Sequence, residues 1–190
     1  AFSLSAFYDA MVSNWMLDNI TGVKPRRFSI SAALSQDLRY GENPHQSASF
    51  FLDEYLQGGI GASNQIQGKK LSYNNINDTD AALELVNEFP QNDGAAAVIV
   101  KHANPCGVGV ANSLVEAYRS AFSCDKTSAF GGIVALNRII DEESAREIIK
   151  VFTEVVIAPD ITEGARKIFS SKSNLRLLIT KKSPVQACSA

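Results

Sequence analysis

Lys101 and His102 stand side by side at the end of an apolar run, Ala95-Ala96-Ala97-Val98-Ile99-Val100. An unbroken series of small and β-branched residues predicts a central strand covered on both faces. In open α/β sheets, catalytic groups gather at the carboxyl ends of such strands. An ammonium beside an imidazole disfavours the imidazolium, so the pair predicts a histidine that stays neutral and serves as a base. The lysine would steady a developing oxyanion or bind an anionic group. The same residues also suit a strand-end lysine reaching solvent beside a histidine bonded to backbone, and the residues alone leave both readings open.

A second polar cluster, Leu38-Arg39-Tyr40-Gly41-Glu42-Asn43-Pro44-His45-Gln46, holds the other of the chain's two histidines. Arg39 offers a guanidinium fork for phosphate, and Tyr40 a ring for stacking or a phenol donor. A structural Ω-like loop with Arg39 in an ordinary ion pair is the alternative.

Asn104-Pro105-Cys106-Gly107 invites comparison with zinc nucleobase deaminases, which need H-x-E and P-C-x-x-C. Here Asn104 stands where the glutamate belongs and Gly109 where the second cysteine belongs, so no three-ligand zinc site is predicted. Cys106 then reads as a small buried residue. Gly107-Val108-Gly109 lacks the third glycine of a dinucleotide loop, because Asn112 occupies that position; close packing at a strand-to-helix turn is expected instead. In Ser128-Ala129-Phe130-Gly131-Gly132 the glycines permit close approach of a ligand to backbone, and Phe130 reads as core. Glu154, at a strand entrance, suits a ribose hydroxyl or plain solvent.

The elements that must position these groups follow from pattern. Leu4 to Ile20 carries Leu4, Tyr8, Met11 and Trp15 on one helical stripe, and Thr21-Gly22-Val23-Lys24-Pro25 should stop it. A strand is predicted at Ala48–Leu52, then a helix capped by Asp78 and running to Phe89. After the Lys101 strand come helix Asn112–Phe122, strand Gly132–Asn137, helix Glu142–Phe152, strand Val155–Ala158, helix Thr162–Phe169 and strand Leu175–Ile179. Alternation with short connections implies mainly parallel strands between helices. Residues 181–190 read as a frayed end.

Composition sets the class. The chain has 190 residues, 45% hydrophobic and 20% charged, with a formal net charge of −2. That suits one soluble α/β domain with an appendage, without general affinity for nucleic acid or anionic membrane. No apolar run is long enough to span a bilayer. Three cysteines, at 106, 124 and 188, argue against a disulfide framework and point to a reducing cytoplasm.

Taken in order, five segments resemble the family of bifunctional purine biosynthesis enzymes that combine AICAR formyltransferase and IMP cyclohydrolase activities. They are Leu38–Gln46, Leu71-Ser72-Tyr73-Asn74-Asn75-Ile76, Val100–Gly107, Thr127–Gly132 and Glu154-Val155-Val156-Ile157-Ala158-Pro159. The resemblance implies a three-layer α/β/α sandwich of the cytidine deaminase-like kind. Residues 1–25 would be a linker helix and 26–190 the first of two α/β units of the formyltransferase region. The implied reaction moves a formyl group from the cosubstrate 10-formyltetrahydrofolate to the 5-amino group of AICAR. His102 would accept the proton and Lys101 stabilise the transition state. Arg39, Tyr40, His102 and the Gly131 backbone would hold the nucleotide, with Glu154 as the family's acidic residue for it and no metal. The resemblance also implies a cytoplasmic homodimer. The second unit would supply an asparagine and most of the folate site, so turnover by this chain alone is not expected. A non-catalytic nucleotide-binding module, or a deaminase-like enzyme, are the competing classes.

Overall fold

The computed structural model describes residues 1–21, 26, 27, 29–53 and 58–180. Residues 22–25 of the expected helix stop at Thr21–Pro25 and the tail 181–190 lie outside them. The chain forms two compact units, one of residues 1–37 with 49–56, the other of 38–48 with 57–190.

In the first unit, α1 (Phe2–Met16) continues into a π-helical turn at Leu17–Thr21. The stripe expected there is present but unburied: Leu4 is 73% exposed and Tyr8 63%. β1 (Ala33–Leu38), which its mixed polar pattern hid, pairs with the expected β2 (Ala48–Leu52).

The second unit is built on a six-stranded sheet ordered β3-β8-β7-β6-β4-β5. Its strands are β3 (Asn64–Gln67), β4 (Ala95–Lys101), β5 (Asn104–Ala111), β6 (Gly132–Leu136), β7 (Thr153–Ala158) and β8 (Arg176–Ile179). β6, β7 and β8 are parallel, whereas β3 runs against β8 and β4 runs against both β6 and β5. The sheet is therefore mixed. The expectation of parallel strands holds for the β6–β8 block, which βα units connect, and fails at both sides, where a polar short strand and a hairpin were not foreseen.

Ala95 to Val100 are all buried, as a strand covered on both faces requires. Ala95, Ala97 and Ile99 pack with α3 (Leu114–Cys124), α4 (Glu142–Ile148) and α5 (Glu163–Phe169). By alternation, Ala96, Val98 and Val100 face the other way. There α2 (Tyr73–Asn87) lies on β4, β6 and β7 with Ala82, Leu83 and Val86 buried. These are the three layers. Each fully buried Ile, Leu or Phe in them contributes about 1.5–3 kcal/mol.

Helix starts follow capping chemistry. Ser113, Asp141 and Thr162 each accept a backbone N–H from three residues ahead. α2 begins at Tyr73 under Ser72, not under Asp78, because Ser72 and Asn75 form a reciprocal capping box that Asp78 cannot match. α4 stops at Ile148, short of Phe152, whose carbonyl is drawn to the Gly131 N–H at 2.7 Å.

Gly107 and Gly109 lie within β5, not on a strand-to-helix turn. A Cβ on Gly107 would sit 2.0 Å from the Ala121 carbonyl oxygen, and one on Gly109 2.2 Å from that of Ala117. The two glycines let strand backbone touch the α3 backbone, and that contact leaves no room for a phosphate. Gly109→Ala is expected to destabilise the chain by about 1–3 kcal/mol through overpacking, read as a lower urea midpoint at unchanged slope; an unchanged midpoint would refute the close approach. Burial, with a smaller contribution from the Glu147 carboxylate, pushes the Tyr118 phenol up to about 12. Its neutral form therefore stabilises the fold below the ordinary value of 10.0, and that stability is lost as pH rises from 10.0 towards about 12. Urea titrations across that window should show a shallower decline for Tyr118→Phe.

Candidate active site

Lys101 ends β4, and the register pairs it with Asn104 across a two-residue turn, His102-Ala103. Both turn residues have positive φ, 53° and 56°, the signature of a type I′ hairpin. That turn ordinarily takes Asn-Gly; an L-residue with a Cβ costs about 1–2 kcal/mol at each such position. Two side chains hold it. The Ala103 N–H donates to Asp78 Oδ1 at 2.9 Å, and Asn104 Nδ2 donates to the His102 carbonyl at 2.7 Å. The imidazole of His102 is exposed on this projection.

The Lys101 ammonium donates to the Phe130 carbonyl at 3.0 Å, which leaves two of its three donors for other partners. The loop offering that carbonyl is organised by Asp125. Its Oδ1 accepts from the Thr127 and Ser128 amides at 3.0 and 2.9 Å, and its Oδ2 from the Ser128 hydroxyl at 2.6 Å. These bonds, the Ser128 hydroxyl first, and the charge of Lys101 hold the Asp125 carboxyl below its ordinary value. Burial, and then Asp125, push the Cys106 thiol up. Its Sγ lies 3.5 Å from the Ile99 carbonyl, so Cys106 is a protonated, half-buried filler, as expected. Among the described residues no group of three His, Cys, Asp or Glu side chains converges as a metal-ligand set.

Because β4 opposes β6, the carboxyl end of β4 meets the amino ends of β6, β7 and β8. This edge, not a row of carboxyl ends, gathers Lys101, Gly131, Glu154 and Arg176. Gly131 has φ 75° and commits its N–H to Phe152, so its amide proton is not available to a ligand. Phe130 is 59% exposed and Phe152 53%, their rings 5.3 Å apart. Phe130 is thus not core: the positive φ of Gly131 turns the chain before the strand begins, and the ring stays outside. Glu154 is engaged through one carboxylate oxygen, its side chain 40% exposed. Its Oε2 accepts from Asn75 Nδ2 at 2.7 Å and lies 3.7 Å from Arg176 Nη1.

The Arg39 loop closes on itself through Gly41 N–H to the Gln46 carbonyl and Asn43 N–H to Gln46 Oε1. Arg39 is exposed and lies over the Tyr40 ring at 5.9 Å. Among the described residues it has no ion pair, which leaves its fork unspent. Asn74 Nδ2 reaches the Glu42 carbonyl at 3.5 Å, so the first two turns of α2 touch this loop, Glu154 and the His102 turn. Asn74, Asn75, Asp125 and Arg176 were not read from the sequence as site residues, and Asp78 was read only as a helix cap. The Ser72-x-x-Asn75 spacing was the available signal for the start of α2, and an earlier start would have put Asn74 and Asp78 on one face.

The second unit is thus a three-layer α/β/α fold that brings Lys101 and an exposed His102 side by side to one edge of its sheet. The chain matches the AICARFT/IMPCHase bienzyme family over residues 1–189, and it belongs to that family. It is 58% identical over 180 residues to the bifunctional purine biosynthesis protein PurH of Roseobacter denitrificans and to that of Paracoccus denitrificans. It is 57% identical to that of Brucella ovis over the same length. These matches cover 95% of this chain but 34% of each relative, so the chain spans about a third of their length.

Since the Asp125 carboxyl sits below its unfolded value, its contribution is present above the ordinary 3.8 and is lost as pH falls through the lower folded value. The stability gap between wild type and Asp125→Asn, measured by urea denaturation, should therefore be widest near neutrality and shrink towards pH 3. A gap constant with pH would refute the assignment.

Proposed function

We propose that this chain contributes one half of a formyl-transfer site in purine biosynthesis, joining 10-formyltetrahydrofolate to the 5-amino group of AICAR. The observation that carries the reading is the exposed, conformationally strained His102 beside a Lys101 with two free donors, on the edge that α2 shares with Arg39.

The chemistry suits these groups. The amine of AICAR is conjugated with its ring and carboxamide and is a poor nucleophile. As its nitrogen attacks the formyl carbon, His102 takes the amine proton while the carbonyl oxygen becomes an oxyanion that Lys101 stabilises. Collapse of the tetrahedral intermediate breaks the bond to N10 of the folate, which takes up a proton. Arg39 and Tyr40 hold the nucleotide, the guanidinium on phosphate and the phenol beside it. Glu154, tied to Asn75 and Arg176, shapes the floor, and Gly131 contributes through its carbonyl. The reading extends to the assembly: residues 1–25 as linker helix, 26–190 as the first formyltransferase unit, and a homodimer in the cytoplasm. Cyclisation of the product to IMP falls to the part of the relatives that this chain does not span. No helix among the described residues is long and apolar enough to cross a membrane.

Titration calorimetry of AICAR into the chain at low salt should give saturable 1:1 binding that Arg39→Ala weakens at least tenfold, about 1.4 kcal/mol. In a protein of the relatives' full length, His102→Ala should abolish formyl transfer with AICAR binding retained. Near-normal transfer by that variant would overturn the mechanism.

A further inference from the structure

The peptide joining His102 to Ala103 is bonded at both ends by side chains from different elements. Its carbonyl accepts from Asn104 Nδ2 at 2.7 Å, and its N–H donates to Asp78 Oδ1 at 2.9 Å. This one peptide plane sets ψ of His102 and φ of Ala103. Freed of these bonds, the turn can leave the type I′ conformation and relieve the positive φ of both His102 and Ala103, 53° and 56°, a change that the backbone favours for any residue bearing a Cβ. Relief at His102 changes its own φ from 53°, and that change swings the imidazole relative to Lys101. Turn chemistry gives no reason for His-Ala here, so the conformation is imposed from outside the hairpin. Of the two anchors, Asn104 is local and moves with the turn. Asp78 belongs to α2, the helix whose neighbouring residues hold Glu154 and the Arg39 loop.

We infer that Asp78 is a positioning residue for His102: its carboxylate locks the 102–103 peptide and so fixes where the imidazole stands relative to Lys101 and bound nucleotide. The inference rests on the formyl-transfer reading for its catalytic consequence, but not for its structural one. Asp78 lies in the second turn of α2, where alanine is a better helix former, so Asp78→Ala removes the anchor without weakening the helix.

Two readouts separate the structural claim from the functional one. In the chain itself, strong intraresidue HN–Hα cross-peaks at 102 and 103 mark positive φ. They should be lost in Asp78→Ala, kept in Asp78→Asn, which retains the acceptor oxygen, and restored in Asp78→Ala/Ala103→Gly, where glycine adopts positive φ without penalty. In the full-length protein, Asp78→Ala should lower kcat for formyl transfer about tenfold with the KM for AICAR within twofold. The Ala103→Gly double variant should recover most of the loss. Cross-peaks unchanged in Asp78→Ala, or a kcat loss that glycine at 103 fails to restore, would overturn the inference and leave Asp78 a role in α2 alone. Wild-type protein lacking formyl transfer altogether would instead sink the functional reading, while the cross-peaks still decide the anchor.

Discussion

Because β4 runs against β6, its carboxyl end arrives where β6, β7 and β8 begin. Everything chemical in the second unit depends on that opposition. In an all-parallel sheet Lys101 would lie at the far edge from Gly131, Glu154 and Arg176. Here Val100 pairs with Ile133, and Gly132 with Thr153, so three turns of chain converge on one edge. The hairpin that reverses β4 into β5 is therefore the means of placing His102 as well as a connection. It also explains Gly107 and Gly109, since a strand returning beside β4 must slide under α3.

Convergence of strand ends brings loops together without fixing them. That task falls to α2, whose capping box sets its start and whose first two turns reach outwards. Asn75 is buried and serves twice, closing the cap with its oxygen and holding Glu154 with its amide. Asn74 and Asp78, one turn apart, meet the Arg39 loop and the His102 peptide. Net hydrogen-bond contributions are about 0.5–1.5 kcal/mol each, the same order as the cost of a left-handed L-residue. Two such bonds, about 1–3 kcal/mol together, offset most of the about 2–4 kcal/mol that the two left-handed residues cost, and one alone falls well short.

Legibility in the sequence followed the strength of the local pattern. The run Ala95–Val100 gave its strand because burial on both faces leaves an unbroken apolar signature. The βα repeats from α3 to β8 came through within a few residues for the same reason. β3 was invisible because Asn64-Gln65-Ile66-Gln67 carries one apolar residue, and its pairing comes from β8 rather than from propensity. β5 was misread because Pro105, Gly107 and Gly109 signal turns locally, whereas close contact with Ala117 and Ala121 is a tertiary demand. Of the site, Lys101 and His102 stood out by position at a strand end. Their supports did not, since Asp78 and Asp125 act on backbone amides far away in sequence or inside a turn, and such partners leave no periodic trace.

The exposure of the assembled edge bears on what the lysine can accomplish. A unit charge at 4 Å from a developing oxyanion is worth about 1 kcal/mol in water but about 4 kcal/mol at the effective dielectric of a covered protein site. In this chain His102, Arg39, Phe130 and Phe152 are all exposed and Lys101 only half-buried, so Lys101 works nearer the first limit than the second. In the proposed function, Arg39 on a doubly charged phosphate would still gain from charge number and bidentate geometry at the surface. Nucleotide capture is thus much less sensitive to covering than transition-state stabilisation is. For the proposed reaction, a surface laid over Phe130 and Phe152 would raise the worth of Lys101 severalfold without touching it, and the same cover would keep water from competing with the amine for the formyl group.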